Sequence, residues 1–349
     1  MRAPDFEQLL RVLDRRAPRR PTLFEFFLNT SLYRQVTGST ADPHWGTPEF
    51  WALAARAYAL LGYDYATTHA SNMSFPVRPS ENHKSSRSME LTSLIHDRAS
   101  FEAYAWPNPD GCDGVNLERV AAALEPGMKA IVFGPCGVLE NVMAVVGYET
   151  LCLMMADDPD LTQEVFDAVG SRLYRYYEIA LQHPAVGAVI INDDWGFATQ
   201  TMLSPDQMRQ YVFPWHQRMV ALAHRANRPA ILHSCGNLDE VWEDIIEVMR
   251  YDGKHSYEDK ILPVEEAYER YGRRIAILGG IDLDYVCRET PQGVEARSRA
   301  MLERAATRGA YALGTGNSVP DYVPPENYFA MIRAATGPTP WHPSLDTAP

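Results

Sequence analysis

The chain has 349 residues, 46% of them hydrophobic and 22% charged, enough to bury a sizeable core in one large barrel or two ordinary domains. Its net charge is −13, from 45 acidic and 32 basic side chains, a field that repels nucleic acid and anionic membrane surfaces. The five cysteines (Cys112, Cys136, Cys152, Cys235 and Cys287) are scattered and odd in number, which argues against a disulfide framework and favours a reducing cytoplasm. The opening stretch is charged and does not read as a secretion signal, and no apolar run reaches the ~18 residues that a membrane helix needs.

Residues 1–16 carry a helical pattern and read as an N-terminal helical extension covering 1–20. Short apolar runs then alternate with helical stretches. The predicted strands cover residues 21–27, 63–69, 129–134, 186–193, 229–233, 251–255, 274–280 and 309–313. Between the second and third lies a long segment, 72–114, rich in Ser, Pro, Asn and His; such loops often serve as lids. A long helix is predicted over 157–182. Another covers 204–227, with Ser204 as N-cap, Pro205 at the first helical position and Gln207 at the capping-box position. Its stripe of Met208, Tyr211, Val212, Trp215, Met219 and Leu222 has helical spacing, and Pro214 predicts a kink. A shorter helix is expected over 241–250 and a Pro-rich tail over 337–349. Strand-then-helix units repeated in this way predict an α/β fold, a single (β/α)8 TIM barrel over 21–336. No Gly-rich dinucleotide loop follows any strand, which argues against an open doubly wound sheet.

Chemistry in such barrels lies at the C-terminal strand ends. The fifth run ends in His233-Ser-Cys235-Gly236. Alternate strand residues share a face, so an imidazole and a thiol are presented together, and both are good zinc ligands. The fourth run ends in Asn192-Asp193-Asp194-Trp195-Gly196. Asp193 and Asp194 are candidates to bind substrate, hold a ligating histidine in its tautomer or move a proton. The competing structural reading makes Asp194 a cap and pairs Asp193 with an arginine. His255 and Glu258, after the sixth run, are the nearest further metal ligands. Glu25 and Phe27 after the first run, with Trp195, Tyr257 and Asp282, are candidates to contact substrate. His69 and Cys136 read as packing residues or as residues that support the ligands from behind, and His44, His83, His96, His183, His216, His224 and His342 as surface, loop or helix residues.

Taken together, Asn192-Asp-Asp-Trp-Gly196, Ser204-Pro205, His233-Ser-Cys-Gly236, Gly279-Gly-Ile-Asp282 and Pro324-Pro-Glu-Asn327 resemble the uroporphyrinogen decarboxylase superfamily, most closely its corrinoid-dependent methyltransferase branch. The resemblance implies zinc on a His-x-Cys pair, which matches His233 and Cys235, and a further Cys after the last strand. That third position falls on Asn317, a poor zinc ligand, so the chain departs from the pattern there and Asn317 is read as a substrate contact. Also implied are a small O-, N- or S-methyl donor, a corrinoid delivered by a partner protein, and a homodimer. The family's decarboxylase activity is the alternative. An eight-carboxylate substrate needs cations, whereas the stretch Leu23-Phe-Glu-Phe-Phe-Leu-Asn29 has none; Arg78 and Arg87 are the nearest that could reach in. A non-catalytic binding paralogue is the third reading.

Overall fold

The computed structural model describes residues 2–77 and 93–338. Its centre is a curled sheet of seven parallel strands in sequence order: β1 (Tyr65–His69), β2 (Lys129–Phe133), β3 (Val186–Asn192), β4 (Ala230–His233), β5 (Gly253–His255), β6 (Ala276–Leu278) and β7 (Tyr311–Ala312). Each crossover runs through helical segments outside the sheet, a TIM-like arrangement. The strands are buried along nearly their whole length because both faces are covered, β3 throughout. Register sets the site. Asn192, His233 and His255 lie in one row across β3, β4 and β5, at the ends of their strands.

Residues 21–27 do not form the regular eighth strand expected. They meet β7 through a single parallel bridge, Leu23 to Leu313, with Phe24 N–H donating to the Leu313 carbonyl and Leu313 N–H to that of Thr22, both at 2.8 Å. Toward β1 a side chain takes the place of a backbone ladder. The Tyr65 hydroxyl accepts from Glu25 N–H at 2.6 Å and donates to the Glu25 carbonyl at 2.7 Å. The Tyr58 hydroxyl donates to the Phe26 carbonyl at 3.1 Å. These hydroxyls satisfy backbone groups that would otherwise be buried without partners.

The N-terminal helix Glu7–Leu13 buries Leu9, Val12 and Leu13 beneath the strand starts. A Cβ on Gly187 would lie 2.6 Å from the Phe6 ring, and one on Gly253 would lie 2.8 Å from Leu13. The segment is thus packed as a stopper under the sheet. The helix Pro159–Ala180, capped by Asp158, matches its expected span closely. The Pro214 kink is a π-type turn, Met208–Val212, between Pro205–Gln207 and Phe213–Arg225, where the proline has no N–H to continue the ladder. Residues 241–250 do not form the expected regular helix. A 3-10 turn, Asp239–Val241, and a π-type turn, Asp244–Val248, replace it, in a stretch crowded by β-branched Val241, Ile245, Ile246 and Val248. Of the long segment 72–114, residues 78–92, including Arg78 and Arg87, lie outside the described residues, as does most of the Pro-rich tail. No single helix among the described residues is long and apolar enough to cross a membrane.

Candidate metal centre in an aromatic cleft

At the strand ends lies a cleft of about 690 Å³. Phe26, Phe27, Trp45, Phe75 and Phe133 form its apolar wall, and Asn192, Asp194, His233, Cys235 and Asn317 contribute the polar wall. No Lys or Arg is among the described residues lining it, and its carboxylates are Glu140 and Asp194. A larger hollow of about 920 Å³ lies on the outer surface around Arg2, Arg56 and Arg119, and no strand-end residue lines it. The smaller cleft is where the fold concentrates reactive groups.

Asp194, His233 and Cys235 offer one ligand atom each within 4.8 Å of one another. His233 Nε2 is 3.9 Å from Cys235 Sγ and 4.0 Å from Asp194 Oδ1. A tetrahedral zinc with ordinary bond lengths separates its N, S and O ligands by about 3.3–3.6 Å, so the side chains would draw together by up to about 1 Å to complete the set. The donors are the N, S and O types that zinc takes, so the residues fit the ion. Two glycines bring them together. Gly236 has φ +85, and a Cβ there would lie 2.1 Å from the Gly196 carbonyl oxygen. The loops after β3 and β4 therefore touch backbone to backbone, and Cys235 N–H donates to Asp194 Oδ1 at 2.9 Å. Asn317 Nδ2 donates to Cys235 Sγ at 3.2 Å, and the Ser256 hydroxyl lies 3.6 Å from the same sulfur.

Burial governs the charges here. It pushes His233 well below the usual imidazole range, with His255 and Lys254 adding to the effect, so His233 is a neutral ligand. It raises the Cys235 thiol, and the neighbouring Asp194 raises it further. Asp194 is itself raised by burial. A divalent cation reverses this balance by favouring thiolate and carboxylate. Lys254, between the Trp242 and Tyr257 rings, is lowered to about 8 by burial and donates to the Ser256 carbonyl.

The other residues singled out by the sequence fall in several places. Asp193, expected in chemistry, is fully buried as scaffold. It accepts from Leu139 N–H, Glu140 N–H and His216 Nε2, all at 2.9 Å, and so ties the N-terminus of the helix Val138–Val146 to β3. Its partner is a histidine rather than an arginine. Trp195 does not wall the cleft. It points away from Asp194, as alternation demands, and is buried against Phe213 and His216. His255 does not join the ligand set, because its two ring nitrogens face His233 and the Thr315 carbonyl. Glu258 is exposed and lines a neighbouring hollow with Tyr257 and Asp282, outside the metal-capable group. Asp282 caps the helix Leu283–Arg288, and Tyr257 is buried with its hydroxyl donating to the Lys254 carbonyl. Glu25 is buried and accepts from Thr315; burial pushes it up to about 8. Phe27 and Asn317 do line the cleft.

Sequence reasoning did not single out most of the cleft's aromatic side. Phe26, Trp45, Phe75 and Phe133 complete the aromatic wall, and His69 faces the cleft as an imidazole lowered to about 4 by burial. Phe26 sits 4.4 Å, ring to ring, from His233. His216 was legible in principle, since it falls on the buried stripe between Val212 and Met219.

A family model described as uroporphyrinogen decarboxylase (URO-D) matches residues 112–337. The chain belongs to the uroporphyrinogen decarboxylase family. A curated uroporphyrinogen decarboxylase from Geobacter sulfurreducens is 25% identical over 182 residues, which are 52% of this chain and 50% of that protein. The chain thus spans about half the length of the curated relative it matches. Among solved structures, a methyltransferase from Methanosarcina mazei shares the fold at a TM-score of 0.72 and 16% identity, over 96% of this chain and 99% of that one. Within the uroporphyrinogen decarboxylase family match fall Asp194, His233, Cys235 and Asn317, whereas Phe26, Phe27 and Trp45 of the aromatic wall precede it.

Proposed function

We propose that this protein is a metal-assisted methyltransferase that moves a methyl group from a small O-, N- or S-methyl compound to a corrinoid carried by a partner protein. The observation that carries this reading is the convergence of Asp194, His233 and Cys235 on the polar wall of an aromatic cleft that no described Lys or Arg lines. A polycarboxylate would find no counter-charge among the described residues of these walls, which disfavours porphyrinogen decarboxylation. An apolar body carrying one methylated heteroatom fits them.

Zinc held by Asp194, His233 and Cys235 would supply Lewis acidity to the heteroatom that bears the methyl group. The chain's own residues do the rest. Phe26, Phe27 and Phe133 take the apolar body of the substrate and exclude water around it. Asn317 Nδ2 donates to Cys235 Sγ and reaches both the cleft and the neighbouring hollow. A reduced corrinoid delivered to the mouth of the cleft would supply the electron pair for the new bond to the methyl group, and the heteroatom would keep the pair of the bond that breaks. The five free cysteines support a reducing, cytoplasmic setting; the homodimer rests on the resemblance.

The test uses untagged protein. Metal content is measured on wild type and His233→Ala. Cob(I)alamin is then offered with methyl ethers, methylamines and methyl thioethers. Stoichiometric zinc that is lost in the variant, together with methylcobalamin formation, is the expected result. Metal-free protein that decarboxylates uroporphyrinogen would overturn the reading, and protein that does neither would leave a binding paralogue.

A further inference from the structure

His255 lies in the strand row next to His233, fully buried, and takes no place in the ligand set. Its contacts nevertheless determine where hydrogens sit. His255 Nε2 lies 3.1 Å from the Thr315 carbonyl oxygen, and His255 Nδ1 lies 2.8 Å from His233 Nδ1. A carbonyl only accepts, so His255 Nε2 carries a hydrogen. His255 is fully buried and neither ring nitrogen meets a carboxylate, so the ring carries no charge and has one N–H. Its Nδ1 therefore bears a lone pair. At 2.8 Å a second lone pair facing it would repel, so the hydrogen between the rings belongs to His233 Nδ1. With its ring hydrogen on Nδ1, His233 keeps a lone pair on Nε2. That is the nitrogen nearest Cys235 Sγ and Asp194 Oδ1. The far end of the chain is anchored as well. Thr315 N–H donates to Glu25 Oε1 at 2.7 Å and the Thr315 hydroxyl to Glu25 Oε2 at 2.8 Å.

We propose that His255 is a positioning residue: braced by the Thr315 carbonyl and Glu25, it locks His233 in the Nδ1–H tautomer and so presents His233 Nε2 to the cleft as a ligand atom. Its purpose rests on the metal reading above; the tautomer does not. Ligating histidines are commonly oriented through their second nitrogen by a carboxylate or a carbonyl. Here a neutral imidazole does this, which keeps a further negative charge away from a pair of groups that already includes Asp194.

Metal-free wild type labelled with 15N in its imidazoles, studied near pH 7 by long-range 1H–15N correlation, reads the tautomers directly. His233 is expected with hydrogen on Nδ1, and His255 with hydrogen on Nε2. Hydrogen on His233 Nε2 overturns the proposal. In parallel, zinc affinity is measured on His255→Phe, which offers no acceptor, and on His255→Asn, which keeps one. The Phe variant is expected to bind zinc about 10–100-fold more weakly than wild type, while the Asn variant recovers most of that loss. Undiminished affinity in the Phe variant, or equal loss in both, overturns the proposal. The two readings fail separately. The expected tautomers with no zinc bound would sink the metal reading and leave the lock standing. Zinc bound at His233 with the opposite tautomer would sink the lock alone.

Discussion

Two stretches at the strand ends carry clustered acids, four in one and two in the other, yet only the poorer one leaves chemistry facing the cleft. After β5 and β6 stand Glu258, Asp259, Asp282 and Asp284. Asp282 caps a helix and accepts from Asp259 N–H at 2.8 Å, while Asp259 is held by both terminal nitrogens of Arg297 at 2.7 and 2.8 Å. After β3 and β4 stand Asp193, Asp194, His233 and Cys235. Asp193 is consumed in the same way, by two backbone N–H groups and His216. Its neighbour Asp194 is not; beyond its bond from Cys235 N–H it faces His233 and the sulfur across the polar wall. A count of carboxylates therefore does not mark a site. What marks it is the donor and acceptor capacity that the scaffold leaves unused.

The contrast makes unequal effects on stability and on metal binding. The largest loss of stability belongs to Asp193→Ala. It strands two helix N–H groups and a buried histidine, and chemical denaturation should show about 3–5 kcal/mol of destabilisation. Next comes His233→Ala. Zinc binding by calorimetry should weaken at least ~100-fold, or about 2.7 kcal/mol, while the metal-free protein loses far less stability than with Asp193→Ala. Retained zinc would erase the distinction between the two stretches.

Glu25→Gln examines a carboxylate that is spent but strained by burial. Its folded pKa, about 8, lies above the ordinary 4.5. The stability it contributes is therefore full below about pH 4.5 and is lost as pH rises through 8. Glutamine does not titrate, so any advantage of wild type over the variant should shrink by about 2 kcal/mol or more between pH 5 and 8. A pH-independent difference would show that the site is better solvated than its burial implies. The smallest effect is expected from Asp282→Ala, about 1 kcal/mol for the lost cap, with zinc affinity unchanged.

Much of the fold was legible because runs such as Val186–Ile191 and Ala230–Leu232 are short, apolar and ended by polar residues, and strand alternation alone placed His233 and Cys235 on a common side. The first run misled because Tyr65 and Tyr58 supply through hydroxyls the bonds that a strand would make through its backbone, and no local pattern reveals that. Trp195 misled for a related reason. It adjoins Asp194 but lies on the opposite face, and the turn after β3 decides which of the two meets the cleft.

The sequence by itself determined the order of βα units, the ends at which polar groups collect, and the pairing of an imidazole with a thiol two residues on, because these follow from periodicities of two and 3.6 residues. Only the tertiary structure decided that Asp194 and not His255 or Glu258 joins that pair, and that Asp193 is bound into the scaffold. The third donor arrives from a different strand, across a contact between Gly196 and Gly236, and hydrogen bonds from distant helices determine which neighbouring carboxylate is left available.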